Sequence, residues 1–223
     1  VEGVDPAHEL CRLLADRGLS GKRLGIELDS YGLKAKAWRQ LEAVLDGFAA
    51  WDDASTLVDR LRAKKSPQEL EYIRQAASLA DDAWDEAVRL ACPDAFEGDI
   101  LAAMQGAVFR GGGDYAGNEF IIGSGPAALL VRYQTGRRHL ADDDQLTLEF
   151  AGAYRRYHAA MMRTLLVGTV HPEHRRMHEA CREALAECEA QVRPGNTMGA
   201  VYDRSEEHTS ELQSQFRISY AVF

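Results

Sequence analysis

The sequence predicts a chain of mixed helix and strand in two parts: an α/β piece over residues 1–63 and a larger part over 64–203. Three observations predict it. Helical and strand-like apolar patterns alternate through the first part, the order of an α/β unit. Ser66-Pro67-Gln68-Glu69 then opens a long amphipathic stretch. Further on, Leu146, Leu148 and Phe150 alternate, and a second β-prone segment follows from Tyr157, the pattern of a hairpin.

In chain order, Asp5 is placed to cap a helix with Pro6 at its first position and Gly18 at its end, and Leu10, Leu13 and Leu14 form its apolar face. Arg23–Leu28 reads as a strand, and Tyr31–Leu45 as a second helix with Leu33, Ala37, Trp38, Leu41 and Leu45 at helical spacing. Phe48–Trp51 reads as a short strand. A lone parallel pair leaves sheet faces uncovered, so further strands before Val1 are expected. Val1 in place of Met is read as a cut end, with no signal peptide.

The second part opens on a capping box with proline at the first helical position. Its helix carries Leu70, Ile73, Ala77, Ala80, Trp84, Ala87 and Ala91 on one stripe and stops at Pro93. Glu97–Arg110 is the next helix, ended by Gly111-Gly112-Gly113; that run lacks the lysine and the strand-to-helix order of a phosphate loop. Glu119–Ser124 is strand-like. In the hairpin, Gly152 is read as the break between strands, with polar groups gathered near the bend. Glu149, Arg155, Arg156, His158 and Arg163 crowd one short stretch, and charges that dense in half-buried strands require partners or a ligand. Pro172–Val192 is a further helix, and Pro194-Gly195-Asn196-Thr197 turns into another.

Of 223 residues, 46% are hydrophobic and 27% charged, ordinary for a globular protein. A net charge of −9 argues against nucleic-acid and anionic-membrane partners. No apolar run reaches the ~18 residues of a membrane span; the longest, Phe120–Val131, is broken by Gly123, Gly125 and Pro126. Cys11, Cys92, Cys181 and Cys188 show no disulfide spacing, so reduced thiols and a cytoplasmic location are expected. His174, His178 and Cys181 share a helix face but lack a clear fourth ligand, and no zinc site is expected there.

The stretch Leu148–Thr164, LEFAGAYRRYHAAMMRT, resembles the segment L-D-x-G-x-x-Y-x-G-Y-x-x-D-x-T-R-T of the creatinase, aminopeptidase P and methionine aminopeptidase family. The matching positions are Leu148, Gly152 (displaced by one), Tyr154, Tyr157, Arg163 and Thr164, and Lys65–Arg74 resembles the opening of the same catalytic domain. The resemblance implies an α+β pita-bread domain, truncated at its first half and preceded by the end of an α/β N-terminal domain. In the metallopeptidase branch two aspartates eleven apart hold a pair of metals; here they fall on Glu149 and Ala160. Alanine has no donor atom. Glutamate's extra methylene moves the carboxylate by ~1.5 Å, large beside a tolerance of ~0.2 Å in metal–ligand distance.

The form here is therefore most similar to the metal-free branch, creatinase and especially ectoine hydrolase. No metal and no cofactor are expected. The resemblance implies hydrolysis of a C–N bond in a small zwitterionic substrate, with the longer protein a homodimer. Glu149 and His158 would be catalytic, and Arg132, Arg163 and Tyr157 would bind substrate. The family's general acid/base histidine falls on Arg132, which stays protonated and can only grip a carboxylate; His139 lies seven residues on. Against these roles stand blander ones: Glu149 paired with Arg163, His158 a satisfied strand histidine, Arg132 an exposed loop residue, Tyr157 a core residue. The alternatives are an Xaa-Pro dipeptidase or aminopeptidase with an altered metal site, and an inactive pita-bread protein that binds a ligand or peptide. In the family one histidine and two glutamates on later strands complete the site, so this chain alone is expected to be inactive.

Residues 204–223 stand apart. RSEEHTSELQS, Arg204–Ser214, resembles the forward translation of a common short-read sequencing adapter, and Ile218–Phe223 its continuation. The tail is read as non-native, with no packed partner expected for it.

Overall fold

A computed structural model describes residues 3, 5–129 and 136–216, with the side chains of 208–216 left outside the description. The chain divides into two units, Val1–Leu70 and Glu71–Phe223, where the sequence placed a boundary at 63/64.

The first unit is built on a parallel pair. Strand β1 (Arg23–Ile26) sets Arg23 opposite Ala50 and Ile26 opposite Asp53 of β2 (Ala50–Asp53). Helix α1 (Pro6–Asp16) begins where expected, and the Asp5 carboxylate accepts the Ala7 N–H at 3.0 Å. Helix α2 (Ala35–Val44) starts later than its apolar spacing implies, because Tyr31 and Gly32 form a turn first. Helix α3 (Leu57–Ala63) was not legible: it buries none of its residues, so no apolar stripe marks it.

Helix α4 (Pro67–Leu90), which runs on into the second unit, opens on the capping box. The Glu69 carboxylate accepts the Ser66 N–H at 2.6 Å, and the Ser66 hydroxyl accepts the Glu69 N–H at 3.3 Å. Helix α5 spans Glu97–Arg110 as the pattern predicts. An antiparallel sheet follows in the order β3 (Ile121–Ser124), β4 (Asp144–Tyr154), β5 (Tyr157–Val167). Leu146, Leu148 and Phe150 of β4 join Leu79, Ile100, Met104 and Ile122 in one buried core between sheet and helices. The fold is α+β, as the resemblance implies.

Gly152 does not break the hairpin. Strand β4 runs through it to Tyr154, and the bend is the two-residue turn Arg155-Arg156 with φ +51° and +70°, the left-handed pair of a type I′ turn. Glycine stands at 152 because α4 crosses there: a Cβ would overlap the Ala76 carbonyl oxygen and come within 2.6 Å of the Ala80 nitrogen. The alanines that α4 buries, Ala76, Ala80, Ala83 and Ala87, permit that approach.

Helices α6 (Pro172–Gln191) and α7 (Met198–Phe216) pack on each other. Helix α7 runs without interruption across Arg204. The expectation that nothing packs against the tail fails at that residue, whose guanidinium lies 3.3 Å from the Glu187 carboxylate of α6. Among the described residues no helix is long and apolar enough to cross a membrane.

Candidate functional site

Strand alternation decides which residues can work together. With Leu146, Leu148 and Phe150 turned to the core, Thr147, Glu149 and Ala151 occupy the opposite, outer face of β4. The register adds their β5 partners Thr164, Met162 and Ala160 to that face, and Ala153 brings His158 beside it farther along. Glu149 is half-buried, paired with Ile121 on one side and Met162 on the other. Since 149 pairs with 162 and 151 with 160, positions 149 and 160 are diagonal neighbours, ~7 Å apart. These are the two positions where the resemblance puts metal-binding aspartates. The Glu149 carboxylate has no hydrogen bond or ion pair with any other described residue.

The other expected site residues scatter. Arg163 pairs with Leu148, so it lies on the face opposite Glu149, and its guanidinium donates to the Met162 carbonyl at 2.8 Å. The suggested Glu149–Arg163 pair is excluded by this register, since the two positions have opposite parity in the ladder. Tyr157 pairs with Tyr154 on the helix side, its ring 5.6 Å from that of Tyr72 in α4. Arg132 lies outside the described residues. His158 shares the face of Glu149, but four ladder positions separate them, ~13 Å. Its Nε2 accepts the Gly117 N–H at 2.9 Å, which leaves the proton on Nδ1, 3.2 Å from the Arg156 carbonyl. Both ring nitrogens are engaged. His139 is held at the start of α5, with Nδ1 2.9 Å from the Asp94 carbonyl.

One polar network escaped the sequence reading. Glu97, in the first turn of α5, is fully buried. Its carboxylate accepts the Ser124 hydroxyl at 2.5 Å and the N–H groups of Arg137 and Arg138 at 2.9 and 3.0 Å. Arg138 donates to the Ser124 oxygen at 2.6 Å and lies 3.4 Å from Asp144. For Asp144, burial pushes the carboxyl up. The N–H groups of Ala141 and Gln145, the Arg138 charge and the Gly125 N–H outweigh it and hold the group below the usual carboxylate range. The network ties the helix start, the end of β3 and the approach to β4 into one piece. The partners of Glu97 lie 27 and more residues from it, so no local motif announces the network.

The fold is shared by known hydrolases. The Xaa-Pro dipeptidase of Bacillus anthracis superposes with a TM-score of 0.82 at 21% identity, over 95% of this chain and 58% of that one. The prolidase of Pyrococcus furiosus does so at 0.79 and 20%, over 92% and 58%. Such identities speak for the fold alone. In sequence, the ectoine hydrolase of Halomonas elongata is 29% identical over 210 residues, which is 86% of this chain and 52% of that protein. The Xaa-Pro dipeptidase of Pyrococcus furiosus is 23% identical over 141 residues, 63% and 40%. The chain thus spans about half the length of the curated relatives it matches. The model of metallopeptidase family M24 matches residues 71–221. The chain belongs to that family, and with it to the creatinase and aminopeptidase P group of hydrolases.

The family name implies metal, and the donors on this face do not fit a metal pair. Glu149 supplies one carboxylate, the diagonal position is Ala160, and the neighbouring Met162, Ala151 and Thr164 offer no anionic ligand. Among the described residues no three His, Cys, Asp or Glu side chains gather closely enough to hold an ion.

Proposed function

We propose that this chain is the first half of a metal-independent hydrolase that cleaves a C–N bond in a small zwitterionic substrate, in the manner of ectoine hydrolase. The observation that carries the reading is Ala160 standing diagonal to Glu149, where a second metal-bridging carboxylate would be needed. The ectoine hydrolase relative at 29% identity supports the substrate class. In this reading Glu149 is the general base: it takes a proton from water as the oxygen bonds to carbon, and the proton passes to the departing nitrogen. A carboxylate without a partner among the described residues is free for that task. His158 acts as a positioning residue, since both its nitrogens are occupied. Arg132 is the proposed grip on the substrate carboxylate. Arg163 and Tyr157 support the sheet from its other face. The remaining site groups belong to the part of the protein beyond this chain, which works in the cytoplasm as a homodimer.

The test uses the full-length gene product. Extensive dialysis should leave it without stoichiometric metal, and turnover of ectoine should survive a chelator. Two bound metals per chain, with activity lost on chelation, would overturn the reading. That result would favour the second one, an Xaa-Pro dipeptidase with an altered metal site, for which the relatives from Pyrococcus speak.

A further inference from the structure

Between α5 and the loop of residues 114–120 lies a cavity of about 220 Å³ that reaches Ala151 of β4. Ala151 is two residues from Glu149 on the same strand face, ~7 Å along the strand. Two carboxylates line it, Asp114 and Glu119, and no lysine, arginine or histidine does among the described residues. Phe109 and Tyr115 stand edge to face at its rim, with centroids 4.9 Å apart, and Val108 and Phe120 give it an apolar floor.

Its wall is fixed before any ligand arrives. The Asp114 N–H donates to the Ala153 carbonyl at 2.8 Å, the Arg156 N–H donates to Asp114 Oδ2 at 3.1 Å, and the Gly117 N–H donates to His158 Nε2 at 2.9 Å. Three hydrogen bonds thus clamp the loop to the hairpin. Asp114 Oδ1 and the Glu119 carboxylate have no partner among the described residues.

We propose that this cavity seats the cationic end of the substrate: an amidinium, guanidinium or alkylammonium group on a short apolar body. Two carboxylates favour positive charge and N–H donors, and aromatic faces attract a cation. Preorganisation of the wall lowers the ordering cost of binding. The inference rests on Glu149 as the reacting carboxylate, and it deepens that reading. A substrate whose cation lies here places a C–N bond within one small molecule's length of Glu149, and its carboxylate remains for an arginine elsewhere. His158 acquires a function by the same geometry, holding Gly117 and hence the wall.

The test uses the 223-residue chain, with n-butylguanidinium as probe and its neutral isostere n-butylurea as control, in calorimetry and in amide NMR. The expected result is saturable binding of the guanidinium that shifts the Gly117 and Tyr115 amides, with the urea at least about tenfold weaker. Asp114→Asn should weaken the guanidinium about tenfold. Glu119→Gln, at an exposed position, should weaken it several-fold while leaving the unfolding midpoint unchanged. Equal affinity for the two probes, no saturation by the guanidinium, or shifts confined to other residues would overturn the proposal. Binding is read here without turnover. A failed probe therefore removes the cation seat alone, whereas a full-length enzyme that binds the probe and hydrolyses nothing removes the hydrolase reading alone.

Discussion

Replacing Glu97 tests how the site's scaffold is held. In Glu97→Ala two part-buried backbone N–H groups, of Arg137 and Arg138, and the Ser124 hydroxyl lose the fully buried carboxylate that accepts from them. The hydroxyl can rotate, but the N–H groups cannot. Each stranded donor costs about 1–3 kcal/mol, and Arg138 is left near Ser124 with the charge balance altered. The total is about 4 kcal/mol, within the range for breaking a buried charged network. Glu97→Gln keeps the shape and one acceptor oxygen but turns an NH2 toward donors, for about 2 kcal/mol. A domain of this size has about 5–15 kcal/mol in all, so the alanine variant removes a large share. Urea unfolding followed by circular dichroism gives both numbers, and amide exchange at Arg137 and Arg138 reports where protection is lost. A cost under about 1 kcal/mol for Glu97→Ala, with exchange at those amides unchanged, would refute the account of the network.

Further predictions follow from single contacts. Gly152→Ala should destabilise by about 3 kcal/mol, because its Cβ meets the backbone of α4 at Ala76 and Ala80 rather than a movable side chain; a neutral or stabilised variant in urea unfolding would contradict the close crossing. Asp144 has a depressed carboxyl, so its contribution is present above the ordinary carboxylate pKa of about 4 and is lost as pH falls through the lower folded value. Asp144→Asn should therefore flatten the fall in stability below about pH 4; identical acid profiles for the two proteins would reject the assignment. Ala160→Asp sets a second carboxylate diagonal to Glu149 and should tighten Mn²⁺ binding by about tenfold or more in calorimetry; no change would mean the two positions do not converge. Ending the chain at Asp203 should leave the unfolding midpoint unmoved, since the one described ion pair that joins the tail to the rest, half-buried Arg204 with exposed Glu187, is solvent-screened; a clear drop would show that the tail belongs to the fold.

What the sequence disclosed was local. The capping box at Ser66 and the limits of α5 at Glu97 and Arg110 depend on neighbours in the chain, and both stand as expected. Gly152 misled because its cause is tertiary: the glycine answers to α4, some seventy residues earlier, and not to its own strand. The true bend, Arg155-Arg156, carries none of the Asn-Gly chemistry that marks a type I′ turn. Had that turn been visible, the register would have followed, because a two-residue bend at 155 and 156 pairs 149 with 162 and 148 with 163. The placement of Arg163 and Tyr157 beside Glu149 failed on that parity. Glu97 was hidden for a third reason: in a first helical turn, glutamate reads as a partner of the helix dipole, and nothing nearby points to Ser124 or Arg138.

The same parity gives the outer face its chemical character. Both arginines of the turn stand at the end of the hairpin, and Arg163 is on the helix side, so the described outer positions of β4 and β5 carry Glu149 and no lysine or arginine. A half-buried carboxylate lacking a cationic neighbour is costly unless something positive reaches it. The resemblance would answer that cost with a metal pair, but Ala160 offers no donor atom at the diagonal position. In the proposed site the positive charge arrives with the substrate, seated by Asp114 and Glu119 next to Ala151. In that proposal Ala160, with no donor atom diagonal to Glu149, leaves an outer face whose one described charge is acidic and suits a small organic cation.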